Sequence, residues 1–255
     1  MKSDNIVFFS NVSKKYRIPG FIKHRYITAV DGLSFEVKKG EFVGLLGLNA
    51  AGKTTTMKLI SGIVKPDSGV VEVFGSLTSV GNVEYKKRIG YLCELPYFYP
   101  YLTARKTLEF YYSISSDVTK SDDINSVLSE VGLLERADDK IKGFSKGMMQ
   151  RLAIACSIIH NPDLLILDEP ASGLDPLSIN DIRNLLLKLN ENGKTIFLSS
   201  HSISDVEKIC KRVIIMYAGK IIKEMERKDW ENSDLEKIFI ETVSYELEKH
   251  KKHSH

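Results

Sequence analysis

Cysteine is scarce in this sequence. Cys93, Cys156 and Cys210 are far apart and odd in number, so there is no disulfide framework and no metal-ligand spacing, and a reducing compartment is expected. No apolar run approaches the ~18 residues of a membrane span, so any membrane role must pass through a partner. An excess of charge is missing too. The 36 Lys and Arg against 33 Asp and Glu leave +3, too little to argue for a nucleic-acid partner. The start of the chain has no apolar h-region, so no secretory leader is expected, and no internal repeat or low-complexity tract is visible. What remains is an ordinary globular composition, 43% hydrophobic and 27% charged over 255 residues. That is enough chain to bury a substantial core, in one large domain or two small ones.

One stretch organises the rest. Gly47-Leu48-Asn49-Ala50-Ala51-Gly52-Lys53-Thr54 reads G-x-x-x-x-G-K-T, the phosphate-binding P-loop pattern. The short apolar run Glu41–Leu46 before it reads as a buried strand, and Thr55 to Ile60 after it as the first turn and body of a helix. Strand, glycine-rich turn and helix N-terminus make an anion site, because free backbone N–H groups and the helix dipole converge there. Lys53 is expected to reach the β- and γ-phosphates of a nucleotide and the Thr54 hydroxyl to hold Mg²⁺.

On either side of that loop the pattern is first β-rich and then alternating. Ile6–Phe9 reads as a strand closed by Ser10 and Asn11. An irregular basic segment, Ile18 to Ile27, follows, with Pro19, Gly20, Lys23, His24 and Arg25. Leu33–Val37 alternates as a half-exposed strand, and Gly69–Phe74 and Arg88–Leu92 read as two more. From about Thr103 to Lys142 the apolar spacing turns helical, as at Ile124, Val127, Leu128, Val131 and Leu134. Beyond it, helix and strand alternate: helix Lys146–His160, strand Leu164–Leu167, helix Pro176–Asn192, strand Thr195–Leu198, helix Ile203–Cys210, strand Val213–Met216. That alternation argues for a mostly parallel sheet covered on both faces. Asp234–Glu248 reads as a charged amphipathic helix, and the tail His250–His255 as solvated.

Two further constellations carry chemistry. Leu164-Leu165-Ile166-Leu167-Asp168-Glu169 is an apolar strand ending in adjacent carboxylates, which places both at the carboxyl edge of a parallel sheet, where ligands bind in open α/β folds. Asp168 suits a Mg²⁺-holding acid and Glu169 a general base that polarises water. About twenty residues upstream, Phe144-Ser145-Lys146-Gly147-Met148-Met149-Gln150-Arg151 looks like a helix start with Ser145 as N-cap.

In this order the pieces resemble the ATP-binding subunit of ABC transporters, over about the first 225 residues. Gly47–Thr54 matches the family's Walker A loop and Ser145–Met148 lies where its signature sequence falls. Leu164–Glu169 matches Walker B with its catalytic glutamate, and Ser172-Gly173-Leu174-Asp175-Pro176 the D-loop. His201 matches the switch histidine that contacts the γ-phosphate, and Ile89–Leu92 the strand before the Q-loop. Tyr16 matches the aromatic that stacks on adenine, with Tyr26 as the alternative.

Three departures stand out. Glu94 replaces the Q-loop glutamine and Lys146 and Met148 replace a glycine and a glutamine of the signature. Ala50 replaces a loop glycine, at a cost of roughly 1–2 kcal/mol if the position is left-handed. The first two are more similar to bacterial exporters of drugs, antibiotics and polysaccharides than to importers.

The resemblance implies an α/β P-loop NTPase fold with a mostly parallel core, an N-terminal antiparallel β portion and a helical insertion at about 95–160. It implies an ATPase domain over 1–225 and a separate helix and tail over 226–255. It implies ATP and Mg²⁺ as cofactors, with nucleotide contacts from Tyr16, Gly47 to Thr55, Glu94 and Ser145 to Met148, and metal contacts from Thr54, Glu94 and Asp168. Glu169, His201 and Lys53 are the catalytic expectations. The partners it implies are a transmembrane permease and a second ATPase subunit, with no nucleic acid, at the cytoplasmic face of the cell membrane. The aromatic stretch Tyr97, Phe98, Tyr99 and Tyr101 either transmits to that permease or packs locally.

Overall fold

The apolar run that leads into the glycine-rich loop is a strand with every residue buried, Phe42–Gly47. The computed structural model describes residues 4–18, 25–78, 84–115, 121–231 and 233–252, with backbone only at 121, 122 and 250–252. It divides into two compact units, Met1–Asn82 with Ser199–His255, and Val83–Leu198.

The first unit begins with two long strands, β1 (Asn5–Ile18) and β2 (Arg25–Lys38). Then come β3 (Phe42–Gly47), α1 (Lys53–Ile60), β4 (Ser68–Val73) and β5 (Ser76–Leu77). The order β2-β1-β4-β5 makes an antiparallel sheet, whose inward residues include Val7, Phe9, Val12, Leu33 and Val37. Phe9 and Phe35 stack with centroids 4.5 Å apart, an offset-stacking distance. Two expectations change here. Asn11 does not close the first strand. Its φ of 50° coincides with a register shift between Phe9 and Val12, so it bends the strand as a bulge and pairing continues. The ends of the supposed irregular segment are also strand: Tyr16 pairs with Ile27, Arg17 with Tyr26 and Ile18 with Arg25. Pro19, Gly20, Lys23 and His24 lie outside the described residues.

The second unit opens with β6 (Ile89–Leu92), preceded by a single 3₁₀ turn that takes up Arg88. It continues through α2 (Ala104–Ser115), α3 (Ser121–Glu130), α4 (Lys146–Ile158), β7 (Leu164–Asp168) and α5 (Pro176–Glu191). The strands β6 and β7 are parallel neighbours, Ile89 beside Leu164 through Leu92 beside Leu167. Helix α4 lies close on β6 because Gly90 has no side chain, and a Cβ there would stand 2.1 Å from the Ser157 carbonyl oxygen. Leu108, Leu128 and Leu152, one from each of α2, α3 and α4, are fully buried and form the core of the helical part.

The strand β8 (Thr195–Ser200) carries the chain back to the first unit. There follow α6 (Ile203–Ile209), β9 (Arg212–Tyr217), β10 (Lys220–Glu226) and α7 (Leu235–Lys252). The strand β9 runs parallel to β3, from Val43 beside Arg212 to Gly47 beside Met216, and antiparallel to β10. The β9–β10 hairpin turns at Ala218 and Gly219, both at positive φ (47° and 80°), which is what a two-residue turn between twisted strands requires. Gly44 lets α6 close on β3, since a Cβ would lie 2.6 Å from Val206 Cγ1. Trp230, 1% exposed, ends the link to α7, and α7 buries Leu235, Phe239 and Val243. The Trp230 indole N–H has no acceptor among the described residues, and the Arg227 guanidinium stands 5.9 Å from its ring. His253, Ser254 and His255 of the expected tail lie outside the described residues. No helix among the described residues is long and apolar enough to cross a membrane.

Candidate functional site

The first unit holds the glycine-rich loop. Helix α1 begins at Lys53 with Gly52 as N-cap, no side chain capping it and no acid in its first turn. Its opening N–H groups therefore keep the positive end of the helix available to an anion. Gly52 has φ 107° and a Cβ there would lie 2.4 Å from the Ala29 carbonyl oxygen, so this position is restricted to glycine. Ala50 has φ 62°: the residue that replaces a glycine does sit in the left-handed region. Lys53 is buried, and its ammonium donates to the carbonyls of Gly47 at 2.7 Å and Leu48 at 3.3 Å, which draws it into the bowl of the loop. Leu48, Asn49 and Ala50 are exposed, and Thr54 and Thr55 half-buried. His201, exposed on the bend after β8, belongs to the same unit. Its neighbours fix the bend, with the Ser202 N–H donating to Ser200 Oγ at 2.9 Å.

Tyr16 and Tyr26 lie on one ladder but not on one face. Tyr16 pairs with Ile27, whose chain neighbour is Tyr26, and successive strand residues point to opposite faces. The two rings therefore cannot cover the same side of a base. Tyr16 has Lys14 Nζ 5.9 Å above its ring, and Tyr26 is the more exposed, at 65% against 37%.

The second unit gathers the acids. Asp168 and Glu169 are buried, at 1% and 9% exposure, at the end of β7. The parallel register ends with Leu92 beside Leu167, so Cys93 and Glu94 leave β6 at the same carboxyl edge at which β7 ends in Asp168. Glu94 itself is exposed. Tyr91 feels this edge: burial first, and the Asp168 carboxylate second, push its phenol well above the usual range, so it stays protonated. Glu169 has φ 52°, uncommon for a non-glycine residue and a mark of a backbone its surroundings must hold. The Ser172 N–H donates back to the Glu169 carbonyl at 3.2 Å. Asp175 then caps α5, accepting from the N–H groups of Leu177 at 3.1 Å and Ser178 at 3.0 Å and from Ser178 Oγ at 2.6 Å. These bonds, the Ser178 hydroxyl foremost, hold its carboxyl below the usual carboxylate range.

A second helix N-terminus lies in the same unit. Ser145 caps α4, its Oγ accepting from the Met148 N–H at 3.2 Å, and the first turn again has no acid. Ser145 and Lys146 are exposed while Gly147 is buried.

Comparison with known proteins gives these pieces a common context. A family model described as ABC transporter matches residues 30–172, more than half of the chain. This chain belongs to that family. It is 43% identical over 198 residues to the bacitracin transport ATP-binding protein BcrA of Bacillus licheniformis, covering 77% of this chain and 64% of the relative. It is 43% identical over 198 residues to the linearmycin resistance ATP-binding protein LnrL of Bacillus subtilis, covering 76% and 63%. The match thus spans slightly less than two thirds of these relatives' length. A dimeric ATP-binding cassette in a post-hydrolysis state bound to ADP and Pi superposes with TM-score 0.79 at 27% identity, over 87% of this chain and 98% of that one. The fold is therefore the expected one, a P-loop NTPase that combines parallel strands with an antiparallel N-terminal sheet.

Oxygen is the donor Mg²⁺ prefers, with one or two carboxylates and substrate phosphates as its usual ligands; Thr54 in the first unit, and Glu94 and Asp168 in the second, each offer it.

Some contributors are invisible as motifs. The β9–β10 turn props the loop, with the Gly219 N–H donating to the Ala51 carbonyl at 3.0 Å. The Ala218-Gly219 step after an apolar strand is a hairpin signal that could have pointed to it. The capping role of Asp175 was readable from Asp-Pro before a helical pattern. The left-handed backbone of Glu169 has no sequence signal at all.

Proposed function

We propose that this chain is the ATP-hydrolysing subunit of an ABC transporter of exporter type, acting as a head-to-tail homodimer beneath a separate transmembrane permease. The observation that carries the reading is that the glycine-rich loop and the signature each open onto a helix N-terminus. Both α1 and α4 start without an acid in the first turn, and each is a place for phosphate. One belongs to the glycine-rich loop, the other to the signature, and in a head-to-tail pair each nucleotide would be held by the loop of one subunit and the signature of the other. The family, and relatives named for bacitracin transport and linearmycin resistance, support the exporter direction and its antibiotic-like class of cargo. The ATPase domain would be 1–225, with the helical part at about 95–160 inserted, and 226–255 a C-terminal extension.

In this reading the backbone N–H groups from Gly47 to Thr55 receive the phosphates. Lys53 exchanges its loop carbonyls for β- and γ-phosphate oxygens, and Tyr16 stacks on adenine. Ser145, Gly147 and Met148 close the γ-phosphate from the partner subunit, while the Lys146 ammonium is engaged by the Gly173 carbonyl of its own chain. Glu169 takes the proton of the attacking water as the bond from γ-phosphorus to the ADP oxygen breaks, and His201 and Lys53 hold the charge that develops on the transferred group. Bound Mg²⁺ would neutralise phosphate charge from Thr54, Asp168 and Glu94. ATP favours the closed pair only through contacts ADP lacks, so hydrolysis releases it.

The permease would dock on the second unit, where Tyr91, Leu95, Tyr97, Phe98 and Ile114 line an open cleft with Lys86 at its rim. The aromatic stretch divides between the two roles. Phe98 is buried against Tyr111 at 6.4 Å, while Tyr97, Tyr99 and Tyr101 are exposed. Such docking would put the chain at the cytoplasmic face of the membrane.

The test is Glu169→Gln. It is expected to abolish turnover, leave ATP binding intact and strengthen ATP-dependent dimers. Near wild-type hydrolysis in the purified variant would remove the base assignment. Retention of the wild-type chain on DNA or ribosomes, in place of co-purification with a polytopic membrane protein, would reverse the transporter reading.

A further inference from the structure

Two consecutive residues at the start of α4 grip the loop that follows Glu169. Lys146 Nζ donates to the Gly173 carbonyl at 3.1 Å. Gly147 is buried, and a Cβ on it would lie 2.7 Å from Ser178 Oγ, so the helix start lies directly on Ser178. That hydroxyl donates to Asp175 at 2.6 Å. Leu174 and Asp175 are thus bracketed, by Lys146 on one side and by the Gly147–Ser178 contact on the other.

Upstream the loop is a tight turn back to the acid, through the Ser172 N–H to Glu169 carbonyl bond at 3.2 Å. Both ends of the turn are left-handed, with φ 52° at Glu169 and 65° at Gly173. At a non-glycine residue such as Glu169 that state persists only where its surroundings over-determine it. A Cβ on Gly173 would lie 2.3 Å from Lys146 Nζ and would displace that ammonium. A glycine at position 146 would offer no such donor.

We propose that Lys146 is a positioning residue for Glu169. Its ammonium pins the Gly173 carbonyl, and through the turn from Glu169 to Gly173 it sets where the Glu169 carboxylate stands relative to the attacking water. The kinetic half of this inference rests on the ATPase reading above; the structural half, that Lys146 restrains residues 172–175, does not.

The experiment compares wild type, Lys146→Met and Lys146→Arg. Methionine keeps the length and loses the donor, whereas arginine keeps a donor. Without nucleotide, amide hydrogen exchange at 172–175 is expected to speed up in Lys146→Met and to return towards wild type in Lys146→Arg. In steady-state hydrolysis, Lys146→Met is expected to lower kcat about tenfold, less than the ~100-fold that a 1 Å misplacement of a reacting group can cost. KM for ATP should change less than twofold, and Lys146→Arg should recover most of kcat. In a Glu169→Gln background, Lys146→Met should leave ATP-dependent dimerisation unchanged.

Unchanged exchange at 172–175 overturns the restraint, and unchanged kcat overturns the positioning role. A raised KM with lost dimerisation would make Lys146 a phosphate ligand instead. A wild-type protein that does not hydrolyse ATP would remove the enzymatic reading, while the exchange data would still decide the restraint.

Discussion

Gly219 supports Ala51: its backbone N–H reaches the Ala51 carbonyl at 3.0 Å, so a hairpin turn far along the chain braces the phosphate loop. The same wall closes on Gly52, whose missing side chain leaves room for the Ala29 carbonyl. Gly52→Ala would place a Cβ against that carbonyl at φ 107°, a backbone state worth roughly 1–3 kcal/mol of strain. We expect a lower urea midpoint and at least tenfold weaker binding of a fluorescent ATP analogue. Wild-type affinity would mean that the loop tolerates a different path.

Ala50 offers the opposite test. At φ 62° an alanine carries a left-handed penalty of roughly 1–2 kcal/mol. Glycine removes it at an entropic cost of roughly 0.5–1 kcal/mol. Ala50→Gly is therefore expected to raise unfolding free energy by up to about 1 kcal/mol. A destabilised variant in chemical denaturation would show that the loop holds Ala50 without strain.

Ser145 has a structural duty besides any contact with nucleotide. Its Oγ accepts from the Met148 N–H, and loss of such a cap typically costs about 1 kcal/mol. Ser145→Ala should lower stability by that amount in the nucleotide-free protein. Ser145→Asp should restore the cap while adding a charge that repels phosphate. A stability gain in the aspartate variant with weakened ATP-driven dimerisation would separate the two duties; equal dimerisation in both variants would deny the second.

His160 makes the second unit sensitive to mild acid. Its Nε2 lies 3.0 Å from the Ile89 carbonyl, which fixes the proton on Nε2 in the neutral ring. Burial, more than the Lys194 charge, holds its pKa below the usual 6.5. The unfolded chain therefore binds the proton first. The stability contribution is complete above pH 6.5 and is lost as pH falls through the folded-state value. The melting temperature should decline between pH 7 and pH 5, and less so in His160→Gln. An equal decline in both proteins would place the acid sensitivity elsewhere. Asp67, Asp175 and Glu226, each hydrogen-bonded by a neighbouring side chain (Lys14, Ser178 and Lys228), titrate below their ordinary values, outside that window.

The fold was legible where hydrophobic pattern and punctuation agree. Buried strands such as Leu164–Asp168 announce themselves as unbroken apolar runs, and helices such as α5 by Asp-Pro followed by helical spacing. The pairing of Tyr16 with Ile27 and of Arg17 with Tyr26 was not legible, because a bulge at Asn11 reads as a strand end until the register is seen. The strand β10, Lys220–Glu226, escaped for a related reason. It is mostly exposed and charged, and its partner β9 rather than its own pattern makes it a strand. The motifs carried the identities of the candidate site residues, yet not the conformations at Ala50 and Glu169, which arise from packing around the loops.

Trp230 is the chain's one tryptophan, fully buried where the link from β10 enters α7, with an indole N–H that finds no acceptor among the described residues. A buried indole emits at shorter wavelength than a solvated one, and the Arg227 cation beside it makes that emission responsive to small displacements. The protein therefore carries an intrinsic optical probe of how its C-terminal helix is seated. Red-shifted fluorescence would announce the release of α7, with no label and no engineered site.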